Sequence, residues 1–246
     1  MPPPPPFHVR LTSARMLTPH VRELRFERSD GLPMTHRPGQ WVNLAIERPE
    51  GGELLRAYSI ASPPDGSPRF ELAVTRVAEG PGSRFLHELA PGAEVLVLGP
   101  HGFFTREPGE GTPALFVATG TGLTPLRSMV RAALSAGARE PLWVLVGVRH
   151  SSDMLYRDEL EALSAAHPNL KVWFSLSRPP PDWAGLAGYV QGHVPELWRR
   201  LAEEGGPGAE PHVYVCGLER MVSVVRSLVR KQLNVPRTRV HSERYD

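Results

Sequence analysis

The chain has 246 residues, 41% hydrophobic and 22% charged, with a formal net charge of +2. That balance excludes a disordered, collagen-like or small disulfide-stapled protein. The single cysteine, Cys216, excludes a four-cysteine zinc site or a cysteine-held iron–sulfur cluster within the chain, and it suits a reducing, cytoplasmic setting.

Positive charge is spread along the chain rather than gathered into a basic run, so no nucleic-acid partner is expected. No apolar run reaches about 18 residues and no signal segment is visible, so no membrane partner is expected either. At about 150 residues per domain, the length favours two domains.

Pro2 to Pro6 predict a short solvated polyproline arm. Six short β-branched or alternating segments follow, separated by Pro, Gly and Asp: Phe7 to Ser13, Val21 to Glu27, Gln40 to Ile46, Ala57 to Ile60, Arg69 to Val77 and Glu94 to Leu98. Their spacing predicts a six-stranded antiparallel β-barrel, with one helix at Arg84 to Leu89 capped by Ser83. The breaker-rich stretch from Glu107 to Pro113 reads as a linker, dividing the chain into residues 1–108 and 109–246. Beyond it, strand and helix alternate: Ala114 to Ala118, Pro125 to Ala136, Leu142 to Val148, Met154 to Ala166, Leu170 to Ser175, Pro195 to Glu203, His212 to Cys216, Glu219 to Gln232 and Arg239 to Ser242. Near-continuous apolar strands predict a parallel sheet in an α/β, Rossmann-like domain.

In such a sheet, ligands bind outside the carboxyl ends of the strands. Thr119-Gly120-Thr121-Gly122-Leu123-Thr124-Pro125 ends the first of them ahead of a helix, where glycines and unpaired amides suit a pyrophosphate. The same string also reads as a plain turn with Pro125 at the first helical position. In the barrel, Arg56 and Tyr58 share a strand face and could clamp and stack a flat phosphate-bearing ligand, or serve as a surface charge and a core ring. Gly80-Pro81-Gly82-Ser83 opens a helix as an anion site or as a simple turn. Cys216 and Gly217 end a strand at the same sheet edge, and a lone cysteine there is commonly a small buried hydrophobe. The ten histidines show no metal-ligand spacing, so no metal is expected.

These strings stand in order with Pro38-Gly39-Gln40, Ser59-Ile60-Ala61-Ser62, Gly99-Pro100-His101-Gly102-Phe103-Phe104, Gly147-Val148-Arg149 with Asp153 to Leu160, and Met221. The order resembles the ferredoxin–NAD(P) reductase superfamily over essentially the whole chain after the proline run. The resemblance implies FAD in the barrel, with FMN as the shorter alternative, and NADH or NADPH in the second domain. It implies Tyr58, Ser59 and Cys216 as catalytic residues: Tyr58 flanking the flavin ring, Ser59 near flavin N5, and Cys216 with Gly217 near the nicotinamide. It further implies Arg56 on a flavin phosphate and Gly82 and Ser83 on the FAD pyrophosphate. Backbone at Ala73, Val74 and Thr75 would line the adenylate or ribityl side. Gly120, Thr121, Gly122 and Pro125 would shape the nucleotide's pyrophosphate site, with Thr124 facing the flavin.

Arg149, Ser177 and Arg178 would meet a 2′-phosphate and favour NADPH. Trp183 to Val190 instead looks like NADH-using oxygenase reductases, and the nucleotide stays open. The chain closes on Glu243-Arg244-Tyr245-Asp246, with its aromatic penultimate rather than terminal as in plant-type reductases. The implied activity is hydride transfer from nicotinamide to FAD, then electron delivery to a separate soluble acceptor such as a ferredoxin or an oxygenase component. A reductase of free flavin or small oxidants, and a redox-silent interaction subunit, are the alternatives.

Overall fold

The computed structural model describes residues 5–47 and 51–245, so most of the expected proline arm lies outside the described residues. The first half is antiparallel: β1 (Phe7–Thr18), β2 (Val21–Arg28), β3 (Trp41–Glu47), β4 (Glu53–Ser59), β5 (Arg69–Thr75) and β6 (Glu94–His101), ordered β4-β3-β6-β1-β2-β5. One bridge between Ile60 and Leu72 ties the end of β4 to β5 and closes the ring. Alternation builds this barrel. In β1, Phe7, Val9 and Leu11 point inward to meet Leu24, Phe26, Leu44, Phe70, Leu72 and Val97. Each fully buried side chain of this kind contributes ~1.5–3 kcal/mol.

Helix α1 (Pro81–Glu88) begins three residues before the expected helix. Its N-cap is Gly80, and Ser83 sits inside the first turn. Pro81 starts the helix because it has a preset φ and no N–H to leave unpaired.

The second half carries β7 (Ala114–Thr119), α2 (Leu123–Ser135), β8 (Leu142–Val148), α3 (Arg157–Ala166), β9 (Leu170–Leu176), β10 (Leu186–Ala187), α4 (Val194–Glu204), β11 (His212–Leu218), α5 (Glu219–Lys231) and β12 (Val240–Tyr245). Its parallel sheet is ordered β10-β9-β8-β7-β11-β12, so the winding reverses between β7 and β11. Helix α3 starts at Arg157 rather than Met154 because Met154, Leu155 and Tyr156 are buried, with Tyr156 turning the chain at φ 54°.

The halves are joined by buried charge. Arg127 of α2, 2% exposed, donates to the Ala61 carbonyl at 2.7 Å and Glu71 at 2.8 Å in the barrel, and to Glu159 of α3 at 2.7 and 2.8 Å. Ser128 adds a bond to the Ser62 carbonyl at 2.7 Å. The stretch read as a loose linker is also pinned: buried Arg106 donates to Thr112 and Glu140. No described helix is long and apolar enough to cross a membrane.

Candidate active site

The sheet's reversal point dictates where a nucleotide can lie. After β7 the chain makes a tight helical turn, Gly120–Gly122, that leads straight into α2, so Pro125 is the third residue of that helix rather than its first. The two glycines do different work. A Cβ on Gly120 (φ +52°) would meet nothing, so its bare backbone opens on the cleft. A Cβ on Gly122 would stand 2.3 Å from the Cys216 carbonyl oxygen, so Gly122 is required for packing β11 against the turn. Gly217 (φ +143°) meets the turn from the other side, where a Cβ would lie 2.2 Å from Thr119 Oγ1. That hydroxyl accepts the Leu218 N–H at 3.2 Å.

A cavity of about 630 Å³ opens here. Thr75 and Val77 wall it from the barrel, and Gly120, Thr121, Gly147 and Gly217 from the strand ends. Arg149, Ser177, Arg178 and Arg220 line it together with a single carboxylate, Asp153. None of these three arginines has an ion-pair partner among the described residues. Arg149, Ser177 and Arg178 therefore come together as the sequence suggested, whereas Arg220 was missed because a charge in the first turn of a helix looks like a solvated face.

A second constellation sits where the barrel meets the sheet. Ser59, 7% exposed at the end of β4, has its Oγ 2.6 Å from the Tyr245 hydroxyl, and it donates to Glu243 Oε1 at 3.3 Å. Thr124 Oγ1 approaches Tyr245 at 3.5 Å and donates to the Thr121 carbonyl at 2.8 Å. Burial pushes the Glu243 carboxyl up to about 7, with the Ser59 hydroxyl opposing that rise. Burial also raises Tyr245 well above its ordinary value. Cys216 is fully buried and paired in register with Glu243; burial, with the neighbouring Glu243 charge, holds its thiol protonated. It does not line the cavity, and neither do Gly122, Thr124 or Pro125. Sequence reasoning assigned Glu243 nothing, because a half-buried edge strand reading Val-His-Ser-Glu-Arg-Tyr resembles a solvated terminus.

Arg56 and Tyr58 face the start of α1. A Cβ on Gly82 would lie 2.8 Å from Arg56 Cγ and 3.5 Å from the Tyr58 hydroxyl. Burial pushes that phenol up to about 12, so it stays neutral. The first turn of α1 has no side-chain cap, leaving the Gly82 and Ser83 amides free for an anion beside the exposed Arg56. The Ser83 hydroxyl is already engaged: it donates to the Gly80 carbonyl at 3.0 Å and accepts the Val77 N–H at 3.0 Å, so only its amide is available. Val74 points into the barrel core and Ala73 is buried on the opposite face of β5, against the second half, while Thr75 is exposed. Past Leu72 the outer edge of β5 pairs with no described strand, although the Val74 carbonyl takes His87 Nε2 at 2.9 Å. A bare helix start, an exposed guanidinium that donates to the neighbouring Leu55 carbonyl at 3.0 Å, a flat neutral phenol and an unpaired strand edge fit a dinucleotide carrying a flat ring system. Among the described residues no group of three or more His, Cys, Asp and Glu is placed to hold a metal ion.

Comparisons with known proteins agree with this geometry. A family model described as an oxidoreductase FAD-binding domain matches residues 8–105, and one described as an oxidoreductase NAD-binding domain matches residues 116–227. The chain is 59% identical over 241 residues to ferredoxin–NADP reductase B of Sorangium cellulosum, covering 98% of both chains. It is 28% identical to the phenol hydroxylase P5 protein of Acinetobacter pittii, covering 93% of this chain but 62% of that one. Among solved structures, an Amycolatopsis cytochrome P450 reductase superposes with a TM-score of 0.82 at 25% identity, covering 98% of this chain and 69% of that one. Ferredoxin–NADP⁺ reductase from Plasmodium falciparum with 2′P-AMP has the same fold, with a TM-score of 0.81 at 21% identity, covering 98% and 96%.

Proposed function

Because the chain belongs to the ferredoxin–NAD(P) reductase family of FAD- and NAD(P)H-dependent oxidoreductases, we propose that it oxidises NADPH and delivers the electrons to a separate soluble protein, a ferredoxin or an oxygenase component. The choice of NADPH rests on one observation above all: Arg149, Arg178 and Arg220 converge on one cavity with a single carboxylate, Asp153, among its lining residues. A guanidinium fork matches a phosphate bidentately, and NADPH carries one phosphate more than NADH. The relative at 59% identity is itself named as an NADP enzyme.

We assign residues 1–108 to the flavin and 109–246 to the nucleotide. FAD, when bound, accepts a hydride and releases electrons singly, which the side chains cannot do. The chain supplies position and proton control. Arg56 and the Gly82 and Ser83 amides hold the FAD phosphates, Tyr58 flanks the ring, and Ala73 to Thr75 line its edge. Gly120 and Thr121 cradle the nucleotide pyrophosphate, while Gly122, Pro125 and Gly217 keep that turn close to β11. Ser59 meets the reacting edge with Thr124 beside it, and buried Cys216 packs behind the cavity floor without lining it. A proton reaching Ser59 Oγ has the Glu243 carboxylate as its acceptor at 3.3 Å. Tyr245, hydrogen-bonded to Ser59, stands in the wall between this site and the nucleotide cavity. The single buried cysteine suits work in the cytoplasm.

Anaerobic titration of the flavin-loaded protein with each nucleotide tests the proposal. NADPH is expected to bleach the flavin at a concentration at least about tenfold lower than NADH does. Bleaching at equal or lower NADH concentration would refute the assignment of the arginines.

A further inference from the structure

At the far end of the parallel sheet lies a polar cluster that hydride transfer does not use. His212 Nδ1 stands 3.0 Å from His241 Nε2 and 3.3 Å from Glu110 Oε1. Tyr214 donates to the same carboxylate at 3.1 Å, and its ring stacks on His241 with centroids 4.4 Å apart and planes at 12°. Buried Arg106 lies 3.4 Å from Glu110 and binds Glu140, and Arg239 and Glu210 also face His212. From α5, which packs on β12, Glu219 takes Arg244 at 2.7 Å.

These partners assign the tautomer. Glu110 can only accept, so His212 Nδ1 carries the proton and shares it between Glu110 and the lone pair of His241 Nε2. A proton added to His241 at Nε2 would set two N–H groups facing each other and break the link. A proton added to His212 at its other nitrogen would not. Strand alternation puts His241, Glu243 and Tyr245 on one face of β12, beside His212, Tyr214 and Cys216 on β11. β12 is the sheet's last strand and pairs only with β11.

We infer that His241 and His212 form a proton-sensitive brace on β12 that positions Glu243 and Tyr245 at the active site. The inference rests on the functional reading above for the importance of those two residues. Burial, reinforced by Arg106, lowers both imidazoles below their usual range, and Glu110 opposes this. The folded protein therefore favours the neutral pair. The stability that the neutral pair lends β12 is complete above about pH 6.5 and declines as the pH falls from there through the lowered values of the folded chain.

Hydrogen exchange of the β12 amides from about pH 8 to about pH 5.5, corrected for intrinsic rates and referred to β7 and β8, tests this directly. In Glu243→Gln, which removes the β12 carboxyl whose titration over the same range has the opposite sign, β12 is expected to exchange roughly tenfold faster at the acid end. His241→Phe, which keeps the stacked ring and removes one of the two titrating imidazoles, should strongly reduce that acceleration when added to the same background. Flavin reduction by NADPH should also slow more steeply below about pH 6.5 in the wild type than in His241→Phe alone. A flat exchange profile in Glu243→Gln would overturn the brace even if His241→Phe does not fold, and so would an unchanged pH response on adding His241→Phe. Loosening of β12 without the kinetic difference would overturn the positioning role. Exchange needs neither flavin nor nucleotide, so a protein that binds no FAD would refute the functional reading and leave this result standing.

Discussion

Glu243 is the residue whose chemistry departs furthest from what its sequence neighbourhood suggests. Its carboxyl is raised to about 7 in the folded chain and ionises near its ordinary 4.5 in the unfolded one. The folded state thus binds the extra proton, and stability falls as pH rises from 4.5 to about 7. Glu243→Gln removes that loss, so its melting temperature should exceed the wild type's at about pH 8 and converge with it near pH 4.5. As the acceptor of the Ser59 proton, ionised Glu243 should make electron delivery rise through a pKa near 7. The variant should lose that inflection and roughly a hundredfold in rate, measured as acceptor reduction against pH.

The glycines give a second test at this scale. Gly122→Ala must move the Cys216 carbonyl and should lower the melting temperature strongly, whereas Gly120→Ala faces open space and costs about 1–2 kcal/mol for its φ alone. Calorimetry of the two variants separates packing from opening. The sequence could not make this distinction, since both glycines belong to one motif.

At the scale of elements, legibility followed burial pattern. Strands with one wet face, such as β1 and β2, announce themselves by alternation, and β7 and β8 do so by unbroken apolar runs. β4 begins four residues before its expected start because only Leu54 and Ser59 of it are buried, which leaves no period to read. β12 extends past Ser242 to Tyr245, and those last residues complete the active site. Arg127 in the middle of α2 reads as a surface charge, yet it bridges barrel, α2 and α3. Removing one member of a buried ionic group leaves the others uncompensated. Arg127→Met should therefore cost ~3 kcal/mol in denaturant unfolding: Glu159 loses two hydrogen bonds and the Ala61 carbonyl its donor, while Glu71 keeps Arg25 at 3.0 Å. On the rim of the cavity, Arg178→Gln should raise the KM for NADPH about tenfold and leave that for NADH nearly unchanged, as steady-state kinetics with each nucleotide would read.

Across the whole molecule, a closed barrel and a parallel sheet meet so that the end of β4, the turn after β7 and the end of β12 converge on one point. The order of short motifs carried the architecture, because each marks a strand end or a helix start. What the order could not carry was the contact between distant segments: Ser59 and Glu243 are 184 residues apart. Such a design places the flavin phosphates on the barrel side, at Arg56 and the start of α1, and the reducing nucleotide on the sheet side. FAD affinity, followed by flavin fluorescence in wild type and Arg56→Ala, tests that placement most directly. Binding should weaken at least about tenfold in the variant while its fold is retained. Equal affinity in the two proteins would contradict it.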